Sequence, residues 1–281
     1  MKHRFDVRVG PIAFRVGSAW RGPIAALEQL YAGYPCDGAV PDYTVRLEPE
    51  RPWRRLIRPS VAIRGDHILP NALPLPLAQG LLGAEMGMNL QLALGERRFL
   101  LLHAASVEKA GRGIILTGES GSGKSTLSAL LGANGWRFMG DEFVLIEPET
   151  GLIHPFPRPV SLKNASITTL LAILPHDRFG PRLVGTPKGD IRHLIPDPAA
   201  IAAMDQTAMP RLILFPRFGF DAAVRDVPPG ETFVRLTQAS TNYTAMGERG
   251  FNALTRLVTG VAAKAIDYPD TETALQLVEA L

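Results

Sequence analysis

Apolar and polar positions alternate twice near the start of the chain, at Phe5, Val7, Val9 and again at Ile12, Phe14, Val16. A period of two puts each set on one face of an extended segment. Gly10-Pro11 supplies a turn between the runs, so a strand pair is predicted. Residues 23–32 change to helical spacing, with Pro23 suited to a first turn. Residues 43–47 and 61–69 read as further strands, the second bent at Gly65-Asp66, and dense prolines from 35 to 76 mark loops and edges. From Leu75 to Leu94 the pattern is helical again, and Gly95 is placed to close that helix.

A different texture begins near Arg98. FLLLHAASV (99–107) reads as one strand, KAGRG as a turn and IILTG as a buried strand, before a glycine-rich loop and a helix from Lys124 to Leu131. WRFM and FVLIE read as short strands flanking Gly140-Asp141-Glu142, and residues 166–174 as a helix. Residues 177–198, rich in Gly, Pro and basic side chains, read as a mobile loop. RLILF (211–215) and FVRLT (233–237) read as strands, 248–262 as a helix, AKAIDY as a strand and 271–280 as a last helix. Strands alternating with helices around a glycine loop predict an α/β core. The predicted organisation is a smaller N-terminal α+β region at 1–97, followed by the core domain at 98–281.

Composition narrows the class. Among 281 residues, 46% are hydrophobic and 20% charged, so apolar burial can offset chain entropy and a folded main state is expected. Cys36 is the single cysteine, which rules out an intrachain disulfide and a Cys-based zinc site. A reducing, cytoplasmic setting is the simple expectation. No stretch approaches the roughly 18 apolar residues of a membrane span, and MKHRFDVRVG carries charges where a signal peptide is apolar. The formal net charge of +3 is not that of a dedicated nucleic-acid binder. Arg51, Arg54, Arg55 and Arg58 cluster around Trp53, a run that usually forms a solvated face.

The sharpest chemical signal is Gly118-Glu119-Ser120-Gly121-Ser122-Gly123-Lys124-Ser125, followed by Thr126. It fits the phosphate-binding pattern G-x-x-x-x-G-K-[ST], also called Walker A. Glycines let several backbone N–H groups turn toward one anion, and a helix starting at Lys124 aims its positive end at the same point. Lys124 would contact the β- and γ-phosphates of ATP, and the Ser125 hydroxyl would ligate Mg²⁺. The bland alternative is a glycine turn capping a helix. Asp141-Glu142 follow one helix and one strand later, where a carboxylate would take a proton from an attacking hydroxyl or hold Mg²⁺. His103 lies on the strand before the loop strand, and a hairpin through KAGRG would bring it toward the phosphates.

These three features together resemble the HPr kinase/phosphorylase family, and most of all its HPr kinase-related branch. Further likeness lies in Thr186-Pro187-Lys188-Gly189-Asp190-Ile191-Arg192-His193, around Asn242-Tyr243, in Gly247-Glu248-Arg249-Gly250-Phe251 and in Tyr268-Pro269-Asp270. The resemblance covers roughly 98–281. It implies a P-loop kinase core of the HPr kinase type, transferring a phosphoryl group from ATP to a serine-type hydroxyl of a protein, a peptide or a small molecule. It also implies Asp141 as general base, Lys124 and Ser125 on phosphates and metal, Glu142 as a second metal ligand, and His103 supporting the transferred group. Lys188 and Arg192 would close over phosphates or substrate, and the family's rings suggest a homo-oligomer. Two departures matter. Glu142 stands where the family usually has Asp, and the segment linked to phosphorylase activity after the acid pair is not found. A rival reading is a nucleotide-binding regulatory module that has lost catalysis; a motor or transport ATPase lacks its coupling motifs here.

Overall fold

The computed structural model describes residues 2–36, 38 and 40–281. In chain order the elements are β1 (His3–Val9), β2 (Ile12–Ser18), α1 (Arg21–Leu30), β3 (Tyr43–Pro49), β4 (Ser60–Gly65), β5 (Leu75–Pro76) and α2 (Gly80–Gly95). There follow β6 (Leu100–Leu102), β7 (Ala104–Lys109), β8 (Arg112–Thr117), α3 (Lys124–Ala133), β9 (Arg137–Gly140), β10 (Val144–Ile146), β11 (Ile153–His154), β12 (Val160–Lys163) and α4 (Ala165–Leu171). The chain ends with β13 (Phe179–Thr186), β14 (Gly189–Leu194), α5 (Pro198–Ala202), β15 (Met209–Phe218), β16 (Ala223–Asp226), α6 (Pro229–Ala239), α7 (Tyr243–Gly260), β17 (Ala262–Tyr268) and α8 (Thr271–Glu279). It is a mixed α/β architecture with several sheets.

The alternation at the start forms the expected antiparallel pair, with Val9 opposite Ile12, inside a five-stranded sheet ordered β1-β2-β3-β4-β5. Helix α2 lies against β3 and β4, and begins later than its pattern suggested because Pro74 and Pro76 disfavour helix and Leu75–Pro76 pairs with β4 instead. A six-stranded sheet ordered β16-β17-β15-β8-β7-β9 carries the glycine loop. Its centre, β17, β15 and β8, is parallel, and β8 forms the expected hairpin with β7 through Ala110 and Gly111, both at positive φ.

Three expectations are corrected. Residues 99–107 are two strands, not one: β6 pairs with β10 in a three-stranded sheet, and β7 joins the six-stranded sheet. The break falls at His103, the polar residue in an otherwise apolar run, whose N–H donates to the carbonyl of Ala239 instead of a ladder partner. Residues 177–198 contain a β-hairpin rather than an irregular loop. Ile191 and His193 of β14 face one way and Arg192 and Leu194 the other, and Gly189 at φ +86° makes the turn. FVRLT is part of α6, not a strand. Thr232 and Leu236 are buried one helical turn apart, and Pro229 suits the first turn, so helical amphipathicity overrides the β-prone composition.

The largest core crosses the boundary at 97/98. Phe14, Tyr31, Val45 and Met88 pack in one cluster with Phe99, Leu101, Phe143, Leu145 and Phe156. Its polar clasp is Arg158, 4% exposed. The guanidinium donates to Glu85 Oε2 at 2.6 Å, to Tyr31 Oη at 3.1 Å and to Asn89 Oδ1, and Tyr31 Oη donates to Glu85 Oε1 at 2.9 Å. Removing one member of such a pair strands a buried charge. Arg158→Ala should therefore cost about 3–5 kcal/mol, read as a lower urea midpoint. A midpoint unchanged from the native chain would show the clasp to be inert. Gly10 at φ +52° docks against the same region, and an added Cβ would lie 1.9 Å from the carbonyl oxygen of Pro155. Gly10→Ala combines strain with that clash, so a loss of about 2 kcal/mol or more is expected in the same measurement.

Candidate functional site

The loop from Gly118 to Gly123 joins the end of β8 to α3, which starts at Lys124. Gly118, Gly121 and Gly123 all have positive φ, a region open to glycine and strained for other residues. Gly123 has a second constraint: a Cβ there would lie 2.7 Å from Tyr268 Oη. The loop is also tied to β15, whose Phe218 N–H donates to the Ser122 carbonyl at 3.3 Å. The buried Lys124 folds its ammonium back onto the loop, donating to the carbonyls of Gly118 and Glu119, each at 2.8 Å. Burial lowers its pKa from the ordinary lysine value, and the negative charges of Asp141 and Glu142 oppose that shift. Glu119 and Ser120 are exposed, while Thr126 lies in the first turn of α3.

β9 delivers the acid pair to this loop. Asp141 is 4% exposed and accepts a hydrogen bond from Ser125 Oγ at 3.1 Å through Oδ1; its Oδ2 is buried without a partner. Burial raises the Asp141 pKa well above the usual carboxylate range, and the neighbouring Glu142 charge adds to it. Glu142 takes a left-handed backbone, φ +69°, and turns to His103, whose Nε2 lies 3.5 Å from Glu142 Oε2. That contact lowers the Glu142 pKa, burial opposes it, and the charges of Lys163 and Lys188 add to the lowering. One carboxyl is thus biased toward holding a proton and its neighbour toward staying charged.

Of the residues singled out from sequence, His103, Lys124, Ser125, Asp141 and Glu142 are held together by this chain of contacts. Ser125 pairs with Asp141 rather than with Glu142, the partner expected for it in metal binding, because the positive φ at 142 swings that side chain toward His103. Lys188, in the hairpin turn, lies on the cleft that includes Asp141 and Glu142. Arg192 does not join them. It sits on the opposite face of β14, its guanidinium 5.3 Å from the Phe179 ring centre and bonded to the Gly180 carbonyl at 2.8 Å.

The sequence reading missed Arg158, Lys163 and His193, which line the same cleft. His193 had a signal, since it closes the Thr186–His193 stretch; Lys163 and Arg158 had none. The oxygens of Ser125, Asp141 and Glu142 are hard donors of the kind Mg²⁺ takes, and the unpartnered Asp141 Oδ2 fits a further ligand. Among the described residues no cluster of three or more His, Cys, Asp or Glu side chains forms a metal cage, and no helix is long and apolar enough to cross a membrane.

No family model matches the chain, and no curated protein is similar to it in sequence. Among solved structures, the Hpr(Ser) kinase/phosphatase from Coxiella burnetii is similar over 64% of this chain and 92% of its own, at 14% identity and a TM-score of 0.28. A likeness that slight leaves the functional reading to the residues of this chain.

Proposed function

We propose that the chain is an ATP-dependent phosphotransferase acting on a serine-type hydroxyl. The observation that carries this reading is Asp141: a buried carboxyl bonded to the residue after Lys124, with its second oxygen free and its proton affinity raised. A carboxyl whose pKa burial pushes up to about 6 is a stronger base than a free carboxylate and is still mostly ionised near neutral pH, as a proton acceptor must be.

In the proposed reaction the acceptor hydroxyl gives its proton to Asp141 Oδ2 as its oxygen bonds to the γ-phosphorus. The bond from that phosphorus to the β-phosphate bridging oxygen breaks, and ADP leaves. Lys124 exchanges its two loop carbonyls for phosphate oxygens, and the backbone N–H groups of 121–125 and the α3 N-terminus stabilise the phosphates. Ser125 and Glu142 would hold Mg²⁺, which when bound neutralises charge on the phosphoryl oxygens, and Asp141 is left as the base. His103 keeps Glu142 charged and positioned beside that centre.

The test is γ-labelled ATP with Mg²⁺ and two acceptor pools, a desalted lysate and a set of small hydroxyl compounds, with Asp141→Asn alongside. Label should appear in an acceptor only with the native chain. Nucleotide binding without transfer to either pool would favour the silent regulatory module. His103→Ala should cut transfer by about 10-fold and shift its pH dependence, because Glu142 loses the partner that keeps it ionised. An unchanged pH profile would remove His103 from the site.

A further inference from the structure

Beside the acid pair lies a cleft whose walls come from opposite ends of the sequence. One wall is α2, contributing Leu82, Glu85 and Asn89; the other is the sheet of β12 and β14. Ser161 and Lys163 of β12 stand next to His193 and Ile191 of β14, all facing the cleft. The walls are fixed to one another. Gln79 Nε2 donates to the Gly185 carbonyl at 3.0 Å, and Arg158 reaches from the β12 side to Glu85 and Asn89.

The cleft encloses about 90 Å³. On that measure one water needs about 10–15 Å³, so the space suits a handful of heavy atoms. Two buried polar atoms on its lining have no partner, His193 Nδ1 and Asp141 Oδ2. His193 is 1% exposed, and burial lowers its pKa, favouring the neutral ring that can donate or accept at Nδ1. An unpaired buried polar group costs about 1–3 kcal/mol, and two on one cleft point to a ligand carrying a hydroxyl. The charges are asymmetric. Arg158 is committed to Glu85, and Glu142 to His103. Lys163 and Lys188 line the cleft, where their charges act on Glu142, and among the described residues neither ammonium is tied up in a hydrogen bond or salt bridge.

We infer that this cleft is the acceptor site, and that the acceptor is a small hydroxy acid. Its hydroxyl lies between Asp141 and His193, and its carboxylate is held by Lys163 and Lys188. The inference rests on the phosphotransferase reading for the role of Asp141, but binding itself does not. An extended peptide has neutral amide groups in place of that carboxylate and needs an open trough, whereas this cleft is walled by α2 and the β12–β14 sheet.

The test is ligand-observed NMR on the full chain without nucleotide, using L-serine, D-glycerate and, as a hydroxyl-free probe, propionate at millimolar concentration. At least one hydroxy acid should bind, and propionate should bind at least tenfold more weakly. Lys163→Met should weaken binding several-fold. His193→Leu should weaken it tenfold or more, with His193→Gln recovering part of the loss and melting curves checking that both variants fold. The inference is overturned if neither hydroxy acid binds, if propionate binds equally well, or if His193→Leu and Lys163→Met bind as the native chain does. Adding labelled ATP separates the two readings. A hydroxy acid that binds and is never phosphorylated counts against the transferase alone; label on a serine peptide with no hydroxy-acid binding counts against the cleft assignment alone.

Discussion

Asp141→Asn is expected to lower phosphoryl transfer by about 10²–10⁴-fold, with nucleotide affinity changed by less than about threefold. The amide keeps the shape and can still accept from Ser125 Oγ, so the loop stays in place; it cannot take the acceptor's proton. The same change should raise stability at neutral pH. Burial raises the Asp141 pKa in the folded state, so folding favours its protonated form. Its contribution to stability is therefore fully present below the unfolded carboxylate value and is lost as pH rises through the raised folded value. Asn carries no such penalty. The melting temperature of Asp141→Asn should exceed that of the native chain near pH 7, and the gap should close as the pH falls into the carboxylate range. Full activity in Asp141→Asn would assign proton transfer to another group. An equal gap at all pH values would show that its burial carries no electrostatic cost.

Lys124→Ala should abolish transfer and weaken ATP binding by about a hundredfold or more, since a buried cation paired with phosphate oxygens is lost. A fluorescent ADP analogue reads the affinity directly. Lys124 bonds the carbonyls of Gly118 and Glu119, so phosphate oxygens would have to replace those two partners. Some binding energy is spent on that exchange, and Lys124→Arg, with a longer fork, should not restore the native affinity. Undiminished ATP binding in Lys124→Ala would sink the nucleotide assignment.

Much of this site could be read from residue order because its parts are local. A glycine loop, the lysine that follows it and the helix behind them occupy one stretch, and positive φ at Gly118, Gly121 and Gly123 is what glycine spacing forecasts. The hairpin of β7 and β8 was legible for the same reason, through Ala110-Gly111. What escaped depends on contacts between distant segments. The strand break at His103 is set by two sheets competing for one apolar run. The β13–β14 hairpin hides behind glycines and prolines, and its alternation shows only at Ile191 and His193. FVRLT reads as a strand until the burial of Thr232 and Leu236 on one helical face is known. Arg158 resembles any other arginine until α1 and α2 fold over it, bringing Tyr31, Glu85 and Asn89.

The clasp at Arg158 also bears on how chains of this kind diverge. On the proposed reading, nucleotide would be handled by residues after 98, while one wall of the cleft is α2, drawn from the first 97. If the proposed acceptor site is right, drift at Leu82, Met86 or Asn89 would change which alcohol is accepted without touching Lys124 and the glycines proposed to hold ATP. Two chains alike in their later two thirds and different along α2 should then share a donor and differ in what they modify. The shared core also means that such change must stay in step with Phe99, Phe143 and Phe156. Acceptor preference would thus be inherited as a packed unit rather than exchanged as a detachable module.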